Sequence, residues 1–302
     1  MNVDIYSRTI RTTILTVLLV SLVVGAGHIP TVSAAQKEIC ITFDELPASQ
    51  TFEEVDPETI LRPILEALDK YEVKAAGFVV GQNINGSFDL LGEWLNQSNR
   101  IGSMTYSYTD LHDVGIESFI RDLIHGEKEL ETMLAGFGQE PRFFRYPFLH
   151  YGTTVEAQRA VSLYLEENNV QAAHATVVVE DYLYNLPLQK YGDEIDSAAY
   201  DKMLNEYVNH VLDQIEAAER KSKELLGRNC RQILQLRANR LNALFIDEML
   251  GAIKSMGYEF VSLDAALRDP VYSKPHAYFG PHGAGYLYML EHSNPDLLPA
   301  GE

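Results

Sequence analysis

The sequence predicts an α/β fold, a parallel sheet of seven strands curled into a closed or nearly closed barrel. Three observations predict it. Short apolar runs alternate with helical stripes along the chain, charged residues gather where those runs end, and no repeat or linker divides the sequence. At 302 residues the chain is long enough for one large α/β domain.

The first strand, Ile39 to Phe43, ends abruptly in Asp44, Glu45, Leu46 and Pro47. A buried parallel strand that delivers acids at its C-terminal end has this form, and that end is where α/β barrels keep their chemistry. Strand side chains alternate, so Asp44 and Glu45 share a site only if the backbone turns there, and Pro47 favours a turn.

Asp56, Pro57 and Glu58 then have the order of an N-cap, a first helical position and a first-turn acid. Ile60, Leu61, Ile64, Leu65 and Leu68 continue at helical spacing to Tyr71. Ala75 to Val80 is the second strand. Phe88 to Leu95 is a helix carrying Trp94, read as core, and Ile101 to Tyr106 is the third strand.

Ile116, Phe119, Ile120, Leu123, Ile124, Leu130 and Met133 mark a long helix. Phe143 to Phe148 is strand-like, Thr154 to Asn168 a helix, and Ala172 to Val179 the fifth strand. A long acidic helix follows between Ser197 and Leu226. The strand Gln232 to Leu236 precedes a helix from Leu244 to Met256, with Gly257 after its end. Glu259 to Leu263 is the last strand, with a short helix after it. The barrel is placed at 36–270, and the Pro-, Gly-, His- and Tyr-rich tail at 271–302 is expected to pack irregularly on it.

Acidic residues number 43 against 24 Lys and Arg, a net charge of -19. Such a surface argues against nucleic acid and anionic polymers as partners and leaves neutral ligands open. Residues 1–35 have the form of a targeting segment: Arg8 and Arg11, an apolar run from Ile14 to Val24, then Val32-Ser33-Ala34. That run is short for a membrane span, so the expectation is a cleaved signal peptide and an exported protein, periplasmic or extracellular, with retention as an N-terminal anchor the alternative. Export permits a disulfide between Cys40 and Cys230; the other reading is buried apolar filler.

Five strand-end motifs carry a resemblance. They are Thr42-Phe43-Asp44-Glu45, Gly102 to Leu111, Arg145 to His150, Asp181-Tyr182, and Ile233 to Asn242, with Gly257 to Asp264 also similar. In this order they resemble the polysaccharide deacetylases of carbohydrate esterase family 4, over about Lys37 to His292. The resemblance implies a distorted (β/α)7 barrel that removes acetyl groups from glycans. It also implies a divalent metal, often zinc, held by an aspartate and two histidines. A second aspartate is then the base, and a later histidine the acid.

Residue by residue, the implied base is Asp44 and the arginine that holds it is Arg145. The implied metal ligands fall on Glu45, Met104 and Tyr108, and the implied acid on Arg237. A thioether is soft and a phenol must lose a proton of pKa about 10, so neither suits zinc. An arginine does not exchange its proton. No cofactor is therefore expected, although zinc or another divalent ion would be with an intact set.

Asp44, Arg145 and Asp181 are the candidate catalytic residues. Pro147, Phe148, Tyr182 and Arg237 are candidate substrate contacts, with Tyr151 a further stacking face. Arg237 is expected to supply the positive charge the metal gave, pairing with Asp44, Glu45 and Asp181. His150 follows the arginine motif, either at the cleft or in a structural role; His125 is read as surface or core on its helix, and His276 and His282 in the tail show no ligand spacing. The leading expectation is a degenerate deacetylase that keeps a glycan-binding cleft. An active hydrolase with altered mechanism and a structural or partner-binding barrel are the alternatives.

Overall fold

The computed structural model describes residues 37–49, 55–188 and 196–298. The proposed leader, residues 1–35, lies outside them. No helix of the described residues is long and apolar enough to cross a membrane.

The centre of the sheet is β1, Lys37–Leu46. It pairs in parallel with β2, Ala76–Val79, on one side and with β7, Gln232–Arg237, on the other, while its first residues also meet β8, Tyr258–Phe260. Beyond β2 come β3, Arg100–Ser103, and β4, Phe143–Phe144. Alternation along β1 sorts its side chains: Phe43 packs edge-on against Trp94 at 5.9 Å, while Thr42 and Asp44 both bond to Arg145 on the opposite face.

The expected strand from Ala172 to Val179 is interrupted. Its first part is β5, Gln171–Ala172, paired with β4; its last is β6, Val177–Val178, paired with β7. The sheet order β5-β4-β3-β2-β1-β7-β6 therefore has its two edges on one stretch of chain, and the four residues between them join those edges. Within that link the Ala173 N–H donates to Phe144 and the Thr176 N–H to Ile233, so the partner changes from β4 to β7 inside four residues. This curls the sheet into the distorted seven-unit barrel that was expected.

Helices cover the outer face where the sequence stripes place them. They are α1, Pro57–Lys70; α2, Phe88–Asn96; α3, Ile116–Ala135; α4, Val155–Glu167; and α6, Ser197–Leu226. The Asp56 carboxylate accepts from the Glu58 N–H at 3.0 Å, as its position before Pro57 implied. Two helices were not foreseen. One is α5, Asp181–Leu188, which opens on a candidate site residue. The other is α8, Tyr286–Glu291, in the tail, where Tyr286 is buried and its N–H donates to Ala175 in the strand link.

The seventh helix, α7, Arg240–Ser255, starts four residues earlier than its apolar stripe suggested, because Asn239 caps it by accepting from the Asn242 N–H at 2.9 Å. Cys40 and Cys230 are both free and buried, and burial pushes each thiol up to about 12, so they fill the core.

Candidate functional site

Backbone geometry marks the C-terminal end of the barrel. Nine non-glycine residues among those described have positive φ, and six of them flank this end: Glu45, Thr105, Tyr108, Phe148, Leu149 and Glu180. Conformations costing about 1–3 kcal/mol each persist only where surrounding structure imposes them. At Glu45 (φ 61°) the ladder with β2 also shifts register between Asp44 and Leu46. This is the turn that lets two consecutive acids serve one site.

Arg145 and Asp44 form the floor. Both are buried, and the guanidinium donates to the Asp44 carboxylate at 2.8 Å and to the Thr42 hydroxyl at 2.7 Å through one terminal nitrogen. Its Nε donates to Ala173 in the strand link at 2.9 Å, and the Phe78 ring lies 4.2 Å from the guanidinium. Gln235 donates to the other Asp44 oxygen at 2.5 Å. Asp44 therefore takes its cation from Arg145, and the expected pairing of Arg237 with all three acids is corrected to two.

Those two are Asp181 and Glu45. The Arg237 backbone N–H donates to Asp181 Oδ2 at 2.6 Å and the side chain to Oδ1 at 2.8 Å, while its Nε lies 3.3 Å from a Glu45 oxygen. The guanidinium also lies 5.1 Å from the Tyr182 ring centre. Burial works against the arginine's charge, but Asp181 and then Glu45 outweigh it and raise its pKa further. Asn242 donates to Asp181 at 2.6 Å and is held in turn by the Tyr207 hydroxyl at 2.6 Å, so the α7 cap that positions Asn242 also positions Asp181.

The implied metal ligands make a poor metal site. Glu45 accepts from Ser49 at 2.7 Å and Tyr108 at 3.2 Å besides facing Arg237. Burial, then the Glu45 charge, holds the Tyr108 phenol well above its ordinary pKa, so it stays protonated and a donor. Met104 is fully buried in the core. A divalent ion here would need to displace a guanidinium from Glu45 and take a thioether and a neutral phenol. The donor set does not fit zinc.

The loop from Thr105 to Tyr108 nevertheless keeps its frame. Asp122 of α3 accepts from Ser107 and Thr109, and Gly126 of the same helix presses directly on the Thr105 backbone. Phe148 is 38% exposed, and its ring lies 4.5 Å from that of Tyr108. It is the exposed aromatic face at this end.

Pro147 is buried, and so is Tyr151. Tyr151 bonds to His174 at 2.9 Å and lines a separate pocket with His276 and Tyr286. The expectation that Tyr151 offers a stacking face beside Phe148 is overturned: two residues after Leu149 the chain has turned inward.

Sequence reasoning missed Thr42, Ser49, Gln235, Asn242 and Tyr207 as members of this network. Gln235 carried a signal, a polar residue inside an apolar strand; Tyr207, 25 residues from the nearest motif, carried none. The histidines also hold a surprise. Asp110, His112 and His150 come together, with donor atoms all within 4.8 Å of one another.

The profile of the polysaccharide deacetylase family matches residues 31–166. A peptidoglycan-N-acetylglucosamine deacetylase of Bacillus cereus is 31% identical over 121 residues, 40% of this chain and 38% of that protein. The matched segment thus spans less than two fifths of that relative's length. Among solved structures, a mutant with restored enzymatic activity of a carbohydrate esterase family 4 pseudoenzyme from Bacillus anthracis superposes with a TM-score of 0.54. It is 16% identical, over 77% of this chain and 68% of that one. The peptidoglycan deacetylase of Bacillus subtilis gives 0.51 at 19% identity, over 77% and 90%. These structures share the barrel, and the sequence matches make residues 31–166 of the chain similar to the polysaccharide deacetylase family.

Proposed function

We propose that this protein is an exported glycan-binding member of the family that has lost metal-dependent deacetylation. The observation that carries this reading is Arg237, which spans Asp181 at 2.8 Å and Glu45 at 3.3 Å. In it, a fixed guanidinium satisfies the acids a metal centre would use, and no proton can be delivered from that position.

Loss of a general acid costs about 10²–10⁴ in rate. Loss of a metal forfeits a bound water whose pKa falls from 15.7 to about 7, and with it the nucleophile. Asp44 remains, but both its oxygens are engaged by Arg145 and Gln235.

Glycan recognition is supported by what the cleft still offers. Phe148 and Tyr182 provide aromatic faces, and Arg237 a charge-assisted donor, beside a narrow recess lined by Ser49, Asn185 and Asn239. The relatives act on peptidoglycan N-acetylglucosamine and xylan by their names, so acetylated glycan oligomers are the ligands to test. Thermal unfolding with N-acetylated chito-oligomers and acetylated xylo-oligomers checks the reading. Ligand-dependent stabilisation, about 2.7 kcal/mol at a hundredfold excess over Kd, is expected. No shift with any oligomer would leave a barrel without a glycan role. Export is checked separately by the N-terminal residue of the protein recovered from its native host.

A further inference from the structure

The histidines left outside the deacetylase-like centre include a cluster with a chemistry of its own. Asp110 and His112 lie on the loop after β3, and His150 follows the turn at Pro147–Leu149. None occupies a position onto which the family's ligands map; those are Glu45, Met104 and Tyr108. We propose that Asp110, His112 and His150 form a divalent transition-metal site, best suited to Zn2+, on the rim of the cleft.

Four observations carry it. First, one carboxylate and two imidazoles present donor atoms within 4.8 Å of one another, and two imidazoles with a carboxylate are a three-ligand zinc set that leaves a fourth position open. Second, His150 Nδ1 lies 2.9 and 2.8 Å from the two Asp110 oxygens, so these two donors already meet.

Third, the ligands are oriented from outside. The Asp110 carboxylate accepts from the His112 backbone N–H at 2.8 Å, and the His112 ring hydrogen-bonds the Pro281 carbonyl. Such outer partners fix ring orientation in metal sites. Gly283, two residues on, rests against the Phe148 carbonyl and the Leu149 Cβ, where a side chain would not fit.

Fourth, the site is accessible but not loose: the Asp110 and His150 side chains are each 16% exposed. The site is also joined to the cleft, since the His150 ring lies 5.7 Å from Phe148, which packs on Tyr108, the donor to Glu45.

The two imidazoles are stacked, 3.9 Å apart and 4° from parallel. Lone pairs in parallel planes do not converge, so binding includes a turn of one ring about its χ2 torsion and the exchange of the His150–Asp110 hydrogen bond for bonds to the ion. A terminal ring torsion of this kind is broad and turns at small cost. Carboxylate and imidazole suit Zn2+, and the open fourth position faces water or a ligand polar group.

The test uses the full chain, stripped with chelator and titrated with Zn2+, then with Co2+, whose visible absorption reports its coordination. One equivalent is expected to bind, with a Co2+ band characteristic of four-coordinate nitrogen and oxygen donors and a rise in Tm. His150→Gln and His112→Gln should each weaken binding by at least about 100-fold, more than loss of an outer partner costs. Glu45→Gln should leave it unchanged.

Two variants keep the test open if one fails to fold. Absence of binding by the wild type at micromolar Zn2+ would overturn the site. Binding that survives both histidine substitutions would overturn it as well. Binding abolished by Glu45→Gln would overturn the site and contradict the reading of the deacetylase-like centre as well, whereas no binding at all overturns the site alone, so the two failures are distinguishable.

Discussion

Arg237 and Asp181 are joined twice. The backbone N–H of Arg237 donates to one carboxylate oxygen at 2.6 Å and its guanidinium to the other at 2.8 Å. Backbone and side chain of one residue thus share both oxygens of a fully buried acid. Glu45 completes the bridge at 3.3 Å. A charge held in this way is structural as well as electrostatic.

Removing one partner should therefore be costly. Asp181→Ala leaves a guanidinium that is 17% exposed with Glu45 as its carboxylate partner among the described residues, and takes an acceptor from Asn242. Breaking a buried pair costs about 3–5 kcal/mol. Chemical denaturation should show a loss of that size, and near-neutral stability would mean that Arg237 reaches solvent.

A second pair tests the floor. Arg145→Lys keeps the charge but not the fork, and one ammonium cannot meet Asp44, Thr42 and the Ala173 carbonyl in the same geometry. We expect a loss of about 1–3 kcal/mol, the cost of leaving buried polar partners unmet. Arg145→Met should cost more, because Asp44 would be a buried carboxylate without its cation.

The motif loop leans on a glycine. A Cβ at Gly126 would sit 2.5 Å from the Thr105 carbonyl carbon, so α3 and the loop must part to admit it. Gly126→Ala should destabilise by about 1–3 kcal/mol despite its better helix propensity. Hydrogen exchange should rise first at Tyr106, whose N–H donates to Asp122.

Acid stability has an identifiable source. Burial pushes the Glu219 carboxyl up, but Lys223 at 2.6 Å, Lys37 at 2.9 Å and the Tyr258 hydroxyl at 3.1 Å outweigh it and hold the pKa at about 2. A carboxylate depressed below its unfolded value of 4.5 contributes stability that is present above that value and lost as pH falls toward about 2. Glu219→Gln should lower stability at neutral pH and flatten the unfolding profile between about pH 4.5 and 2. An unchanged acid limb would show that the three partners do not act on it.

Much of this was legible in the residues. The alternating runs that predict the barrel rest on burial periodicity, and Asp56-Pro57 marked the start of α1. Arg237 beside Asp181 followed from two motifs whose strand ends must converge in any barrel. What was illegible depended on partner choice or on turns. The segment 171–178 has a strand's composition throughout, but nothing in eight residues shows that its hydrogen bonds change partner from β4 to β7 midway. Tyr151 reads like Phe148 until the positive φ at Phe148 and Leu149 reverses the chain between them. Asp110, His112 and His150 lie on two loops, so no spacing in the sequence brings them together.

The central claim, that the deacetylase-like centre of this chain no longer catalyses, is tested most directly by acetate release from acetylated glycan oligomers with added Zn2+ or Co2+. The wild type should release none above background. Arg237→His alone should also release none, since Met104 and Tyr108 still stand at the ligand positions. Joining it with Glu45→Asp, Met104→His and Tyr108→His should give metal-dependent release. Metal-dependent acetate from the wild type, abolished by Glu45→Gln, would contradict the account.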